Sequence, residues 1–134
     1  MSVTKKLGST LLVGISLLVS ETTISSSLGD SIEGTYNSEI TGSSNTIYSG
    51  VTKFSLDSNG KISGLYTFTD GGGESVGRLY NCTEKMETRQ VICNWKDKLG
   101  SGDMEINFSE DYKSFSGGWN DEGSSQKHPW IGKR

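Results

Sequence analysis

From residue 32 onward, apolar and polar positions alternate in short runs, cut apart by Gly, Ser, Asn and Asp. No stretch after residue 30 repeats apolar residues at i, i+3, i+4 and i+7, so the pattern predicts strands and turns rather than helices. Ile32, Gly34 and Tyr36 fall on one face of a first strand, and Thr52, Phe54 and Leu56 on one face of a second. Asp57-Ser58-Asn59-Gly60 reads as a turn, because Asn-Gly accepts the positive φ angles of a tight hairpin. Ile62-Gly64-Tyr66-Phe68 then face inward on the return strand, and "DGGGES" over 70–75 is a flexible turn. Further strands are expected at Val76-Arg78-Tyr80-Cys82, Val91-Cys93-Trp95, Met104-Ile106-Phe108 and Phe115-Gly117-Trp119. That makes seven, with an eighth either over 45–48 or near Trp130. The fold class is all-β, an antiparallel up-and-down meander of seven or eight strands. Such a sheet closes into a small barrel or folds into a sandwich, and the barrel is the reading carried forward.

Two segments are near copies. "FSLDSNGKISGLY" (54–66) and "FSEDYKSFSGGW" (108–119) share Phe-Ser-x-Asp, a polar run containing Lys61 or Lys113, and Ser-Gly-x-aromatic. Asp57 and Asp111 suit the start of a turn, where the side chain bonds the backbone two residues on. Gly64 and Gly117 take inward positions that let the sheet coil, and Tyr66 and Trp119 fill the space two residues later. Every shared residue has a folding reason, so the echo reads as a hairpin module rather than a ligand signature used twice.

Cys82 and Cys93 are the only cysteines. In an oxidising compartment two such residues pair, which would staple a domain of modest core. If they face each other across an antiparallel pair, Tyr80 opposes Trp95 and Arg78 opposes Asp97, both favourable partners. The stretch 84–90, "EKMETRQ", is then a solvated hairpin tip.

The N-terminus adds the compartment. Lys5 and Lys6 precede an uncharged, mostly apolar run over 7–19, then a Ser/Thr-rich exit. This is the layout of an export signal, assigned to residues 1–27 with the cut anywhere from 20 to 29. The run is too short for a transmembrane helix, which needs about 20 residues. A β-meander domain over 28–124 and a C-terminal tail over 125–134 complete the division, and the protein is expected to be secreted or periplasmic. Without Lys5 and Lys6 the chain keeps 11 basic side chains against 15 or 16 acidic ones, Glu21 depending on the cut. This acidic balance shows no basic patch for nucleic acid or anionic lipid. The sequons at Asn81 and Asn107 matter only in a eukaryotic secretory pathway.

Chemistry is sparse. His128 stands in the polar tail, no Gly-x-Ser-x-Gly occurs, and the adjacent carboxylates read as solvated turn charges. "DSNG" begins like a calcium loop but lacks the later bidentate Glu, and two Cys with one His do not make a zinc site. No catalytic residue, metal or cofactor is assigned, and enzyme activity is not expected. A small barrel can instead hold one ligand at its open end. Tyr36, Tyr66, Trp95 and Trp119 are the candidate ligand-binding residues, the other reading of all four being ordinary core. Trp130, after Pro129, is either an exposed anchor or a plug of the barrel end.

"GTYNSE", "NGKISGLYTF" and "CNWKD" resemble, in the same order, the Gly-Thr-Trp, Gly-x-x-x-Gly-Thr-Tyr and Asn-Trp-Lys stretches of the avidin and streptavidin family, over roughly residues 32–97. The resemblance implies an eight-stranded antiparallel barrel. It does not imply biotin: Asn37, Ser38 and Ser43 miss the spacing of the family's polar contacts, most of its pocket tryptophans are absent, and Tyr66 alone lines up. The closing part is similar to the ends of small secreted bacterial β-proteins, and secreted metalloprotease inhibitors are similar in size and export. The expected function is non-catalytic binding of a small ligand. The alternative is a protein–protein module, such as a protease inhibitor or adhesion factor, acting through a loop or terminus at 21–31, 84–90 or 120–134.

Overall fold

A computed structural model describes residues 28–134, and the export signal expected over 1–27 lies outside the described residues. A five-residue helix, α1 (Leu28–Ile32), leads into eight strands: β1 (Gly34–Thr41), β2 (Ile47–Leu56), β3 (Ile62–Asp70), β4 (Gly73–Lys85), β5 (Gln90–Asp97), β6 (Gly100–Phe108), β7 (Ser114–Asp121) and β8 (His128–Lys133). Each strand pairs antiparallel with the next, and β8 pairs back onto β1. The sheet is therefore a closed up-and-down barrel, which leaves no strand edge unpaired.

The eighth strand is the one near Trp130, so 125–134 is not a tail. His128, Trp130 and Gly132 point inward and alternate with outward Pro129, Ile131 and Lys133. Three inward positions in six residues are a strand signal, but the polar approach to them hides it. His128 is correspondingly buried against the Trp119 ring, 4.6 Å between centroids, rather than exposed.

Both echoed turns form as expected. The Asp57 carboxylate accepts the Asn59 and Lys61 amides at 2.8 and 2.9 Å, and that of Asp111 accepts the Lys113 amide at 3.0 Å. Gly60 takes φ 78° and Tyr112 φ 58°, the left-handed conformation each turn needs. The Lys113 amide and the Ser109 hydroxyl hold Asp111 below the usual carboxylate range.

The disulfide Cys82–Cys93 is present, Cα–Cα 4.0 Å. The register expected from it holds only toward the hairpin tip, where Thr83 faces Ile92 and Glu84 faces Val91. Between Tyr80 and Thr83 a bulge intervenes, with Asn81 at φ 51°. One extra residue flips every side chain below it to the other face. Leu79, not Tyr80, opposes Trp95, and Arg78 opposes Lys96. Tyr80 points outward with the Arg78 guanidinium 4.5 Å above its ring.

The two ends of the barrel differ. The end carrying the turns 57–61, 86–89 and 109–113 is filled by Tyr36, Phe54, Phe108 and Phe115, whose rings pack mutually at 5.3 to 6.1 Å. Over them lies α1, which the strand expected at Ile32 did not anticipate. Leu28 and Ile32, four apart and so on one helical face, are both buried. Gly34 at φ 134° ends the helix and starts β1. Arg134 locks the helix down: its guanidinium donates to the Glu33 and Ser31 carbonyls at 3.0 and 2.8 Å and lies 4.6 Å from the Tyr36 ring centre. The end carrying the turns 42–46, 71–72, 98–99 and 122–127 has no such cover among the described residues.

Candidate functional site

At that uncovered end the barrel interior opens as a cup of about 310 Å³. Its wall is aromatic: Tyr48, Tyr66, Phe68, Trp95, Trp119 and Trp130 line it, together with Ile40. The rim adds Gly42, Ser43, Ser44 and Leu99, and the two charged lining residues are Asp97 and Asp121. All three tryptophans of the chain belong to this one cavity.

Four of these side chains are held by a common device, in which a polar aromatic reaches past the neighbouring strand to a partner on the strand beyond. The Tyr66 hydroxyl on β3 donates to Asp97 Oδ2 on β5 at 2.7 Å. Trp95 Nε1 on β5 donates to the Asn120 carbonyl on β7 at 3.1 Å. Trp119 Nε1 on β7 donates to the Thr41 carbonyl on β1 at 2.9 Å. Trp130 Nε1 on β8 donates to Thr52 Oγ1 on β2 at 3.1 Å, and Thr52 in turn pairs with Ser38 at 2.6 Å. Each ring is fixed by its own polar atom, so the walls are set before any ligand arrives.

Two glycines make the reach possible. Gly77 pairs with Tyr66, and a Cβ there would sit 2.1 Å from the ring. Gly102 pairs with Trp95, and a Cβ there would sit 2.9 Å from Nε1 and 1.9 Å from the Asn120 carbonyl oxygen. The missing side chains let the rings lie flat across the intervening strand.

The rings also pack on one another. Trp95 and Trp119 meet edge to face at 5.3 Å, Tyr66 meets Trp130 at 4.8 Å, and Tyr48 meets Phe68 at 5.9 Å. Burial, reinforced by the bond to Asp97 and the charge of that carboxylate, raises the Tyr66 phenol far above its ordinary value. It is a fixed neutral donor. Asp97 also accepts the Leu99 amide at 2.7 Å, which fixes its other oxygen. Ser75, opposite Phe68 in the register, is buried and its hydroxyl lacks a partner, the one such buried side-chain atom among the described residues.

Of the four residues singled out in the sequence, Tyr66, Trp95 and Trp119 line the cup together. Tyr36 does not: it is wholly buried at the other end, its hydroxyl donating to the Tyr112 carbonyl at 2.7 Å. Trp130 is neither an exposed anchor nor an end plug but part of the cup wall, beneath Tyr66. Asp97, Tyr48 and Phe68 were missed. A register shifted by one at Asn81 would have placed Asp97 beside Gly77 and hence within reach of Tyr66. Among the described residues, no three His, Cys, Asp or Glu side chains converge on a common point, and no helix is long and apolar enough to cross a membrane.

No protein-family model matches the chain, and no curated protein does. Solved structures match its fold. A redesigned β-barrel, mFAP1, bound to DFHBI, is 19% identical, with a TM-score of 0.63 over 81% of this chain and all of that one. A second redesigned β-barrel is 13% identical, with a TM-score of 0.62 over 80% and 94% of the two chains. A de novo fluorescence-activating β-barrel is 12% identical, with a TM-score of 0.54 over 79% and 95%. The chain is thus similar in fold to small designed β-barrels, and its eight strands agree with the seven-or-eight-strand expectation. The disulfide is a feature of proteins that fold outside the reducing cytosol.

Proposed function

We propose that the protein is a non-catalytic binding barrel that takes one small, largely apolar ligand in the cup at its open end. One observation carries this: the barrel is packed solid at one end, whereas the other keeps about 310 Å³ behind rings locked in place by their own hydrogen bonds. That volume is at the lower end of small-molecule pockets, about 300 to 1,000 Å³, and fits a ligand of one or two rings. The designed barrel of similar fold that binds DFHBI supports the idea that this architecture can house such a molecule. The non-catalytic part rests on the engagement of the polar groups. Tyr66 holds its proton, and both Asp97 oxygens already accept bonds. The protein is read as exported, with its disulfide formed.

The protein–protein alternative draws less support. Residues 28–31 belong to the helix over the packed end and 128–134 to barrel closure, which leaves 84–90 and the exposed turn 121–127 to carry it, while 21–27 lie outside the described residues.

Intrinsic fluorescence tests the proposal, because every tryptophan lies at the cup. Titration with 2-phenylethanol is expected to shift the emission saturably, and Trp119→Ala to weaken binding about tenfold or more by removing one wall. A linear, non-saturating response in the wild-type protein would contradict it.

A further inference from the structure

The cup also has a polarity, and it points to a class of ligand. Its indoles and one of its phenols are turned into the wall: Trp95, Trp119, Trp130 and Tyr66 all donate to protein acceptors, which leaves the hydroxyls of Tyr48, Ser43 and Ser44 as the neutral donors among the lining side chains. What those four aromatics leave facing the cavity is ring surface, whose π-faces carry partial negative charge. Among the described residues the charged lining groups are two carboxylates, Asp97 in the wall and Asp121 at the rim, and no Lys, Arg or His lines the cavity. Lys98, on the turn beside Asp97, is directed to Asp70 at 3.8 Å and not inward. An anionic ligand would find no opposite charge among these groups, only neutral hydroxyls and two carboxylates that repel it. A cation bearing N–H donors would meet both of the things on offer, carboxylate oxygens and aromatic faces.

We propose that the ligand is a small organic cation, an aryl- or alkyl-ammonium or an amidinium, seated with its charge toward Asp97 and Asp121 and its carbon skeleton among Trp95, Trp119 and Tyr66. This rests on the reading of the cup as a small-molecule site and goes beyond it in fixing the sign of the charge. The carboxylates have different parts. Asp97 is already tied to Tyr66 and the Leu99 amide, so it is held in position to meet a cation with its remaining lone pairs. Asp121 is exposed at the rim and draws the cation toward the mouth.

Three probes of one shape and different charge make the test: 2-phenylethylammonium, 2-phenylethanol and 3-phenylpropionate, titrated by calorimetry into the disulfide-bonded protein at neutral pH and low salt. The ammonium is expected to bind about tenfold tighter than the alcohol, and the carboxylate weakest of the three. Asp97→Asn and Asp121→Asn should each weaken the ammonium several-fold, and Asp121→Asn should narrow its preference over the alcohol. Asp121 is exposed, so its variant reports on charge without disturbing the wall. Alcohol or carboxylate binding as tightly as the ammonium would overturn the inference and leave the small-molecule cup standing. Binding of none of the three at millimolar concentration would overturn the cup itself.

Discussion

Tyr66 and Trp95 each stand opposite a glycine and use the gap to reach a partner two strands away. The same residue type behaves differently at the packed end, where Tyr36 keeps its hydroxyl on the Tyr112 carbonyl and its ring under Arg134. Burial raises the Tyr36 phenol from 10.0 to about 12, with Arg134 opposing the shift and Asp111 adding to it. The folded chain therefore keeps this proton at a pH where the unfolded chain has released it. The resulting stability is complete below about pH 10 and is lost as the pH rises toward about 12. In a spectrophotometric titration of the folded protein, Tyr36 and Tyr66 should remain un-ionised at about pH 11, and Tyr36→Phe should flatten the fall in stability above about pH 10. Ionisation of all five tyrosines by that pH, in protein that is still folded, would contradict this packing.

At the scale of elements, the asymmetry of the barrel comes from α1 and the end of β8. Arg134 joins them, bonding the carbonyls of Ser31 and Glu33 and covering Tyr36. Charged donors on otherwise open helix carbonyls, with a ring contact beneath, make Arg134→Ala cost about 1 to 3 kcal/mol. Hydrogen exchange should quicken over 28–33 while probe binding at the far end is unchanged. Undiminished protection of 28–33 in that variant would mean that the helix is held by Leu28 and Ile32 alone.

These elements also show what the sequence made legible. The strands with clean alternation, such as Met104-Ile106-Phe108, and the Asx turns at Asp57 and Asp111 were readable because each depends on residues close in the chain. The helix was not, since five residues give one apolar pair and no period. β8 was legible only as one of two places for an eighth strand, because its inward His and Gly look polar. The bulge at Asn81 is the costliest omission, because it reverses the faces of Tyr80 and Arg78 and hides the route from Tyr66 to Asp97. Three of the four aromatic candidates reached the cup because strand parity determines them. Tyr36 did not, because parity gives the face of a residue but not the end of the barrel toward which it lies.

The whole molecule is one barrel with a sealed end and an open end. The echoed hairpins show how the two relate: their Asp turns lie at the sealed end, and their closing aromatics, Tyr66 and Trp119, rise into the cup. One repeated module thus serves the fold at its turn and supplies wall to the site at its tip. The most direct measurement is a two-dimensional NMR titration of the isotope-labelled protein with 2-phenylethylammonium. The three indole N–H resonances and the amides of 40–44 and 97–99 should move together and saturate, while amides at 57–61 and 109–113 stay in place. Unmoved indole resonances, or shifts centred on the sealed end or the outer wall, would contradict the claim that this barrel works through its open cup.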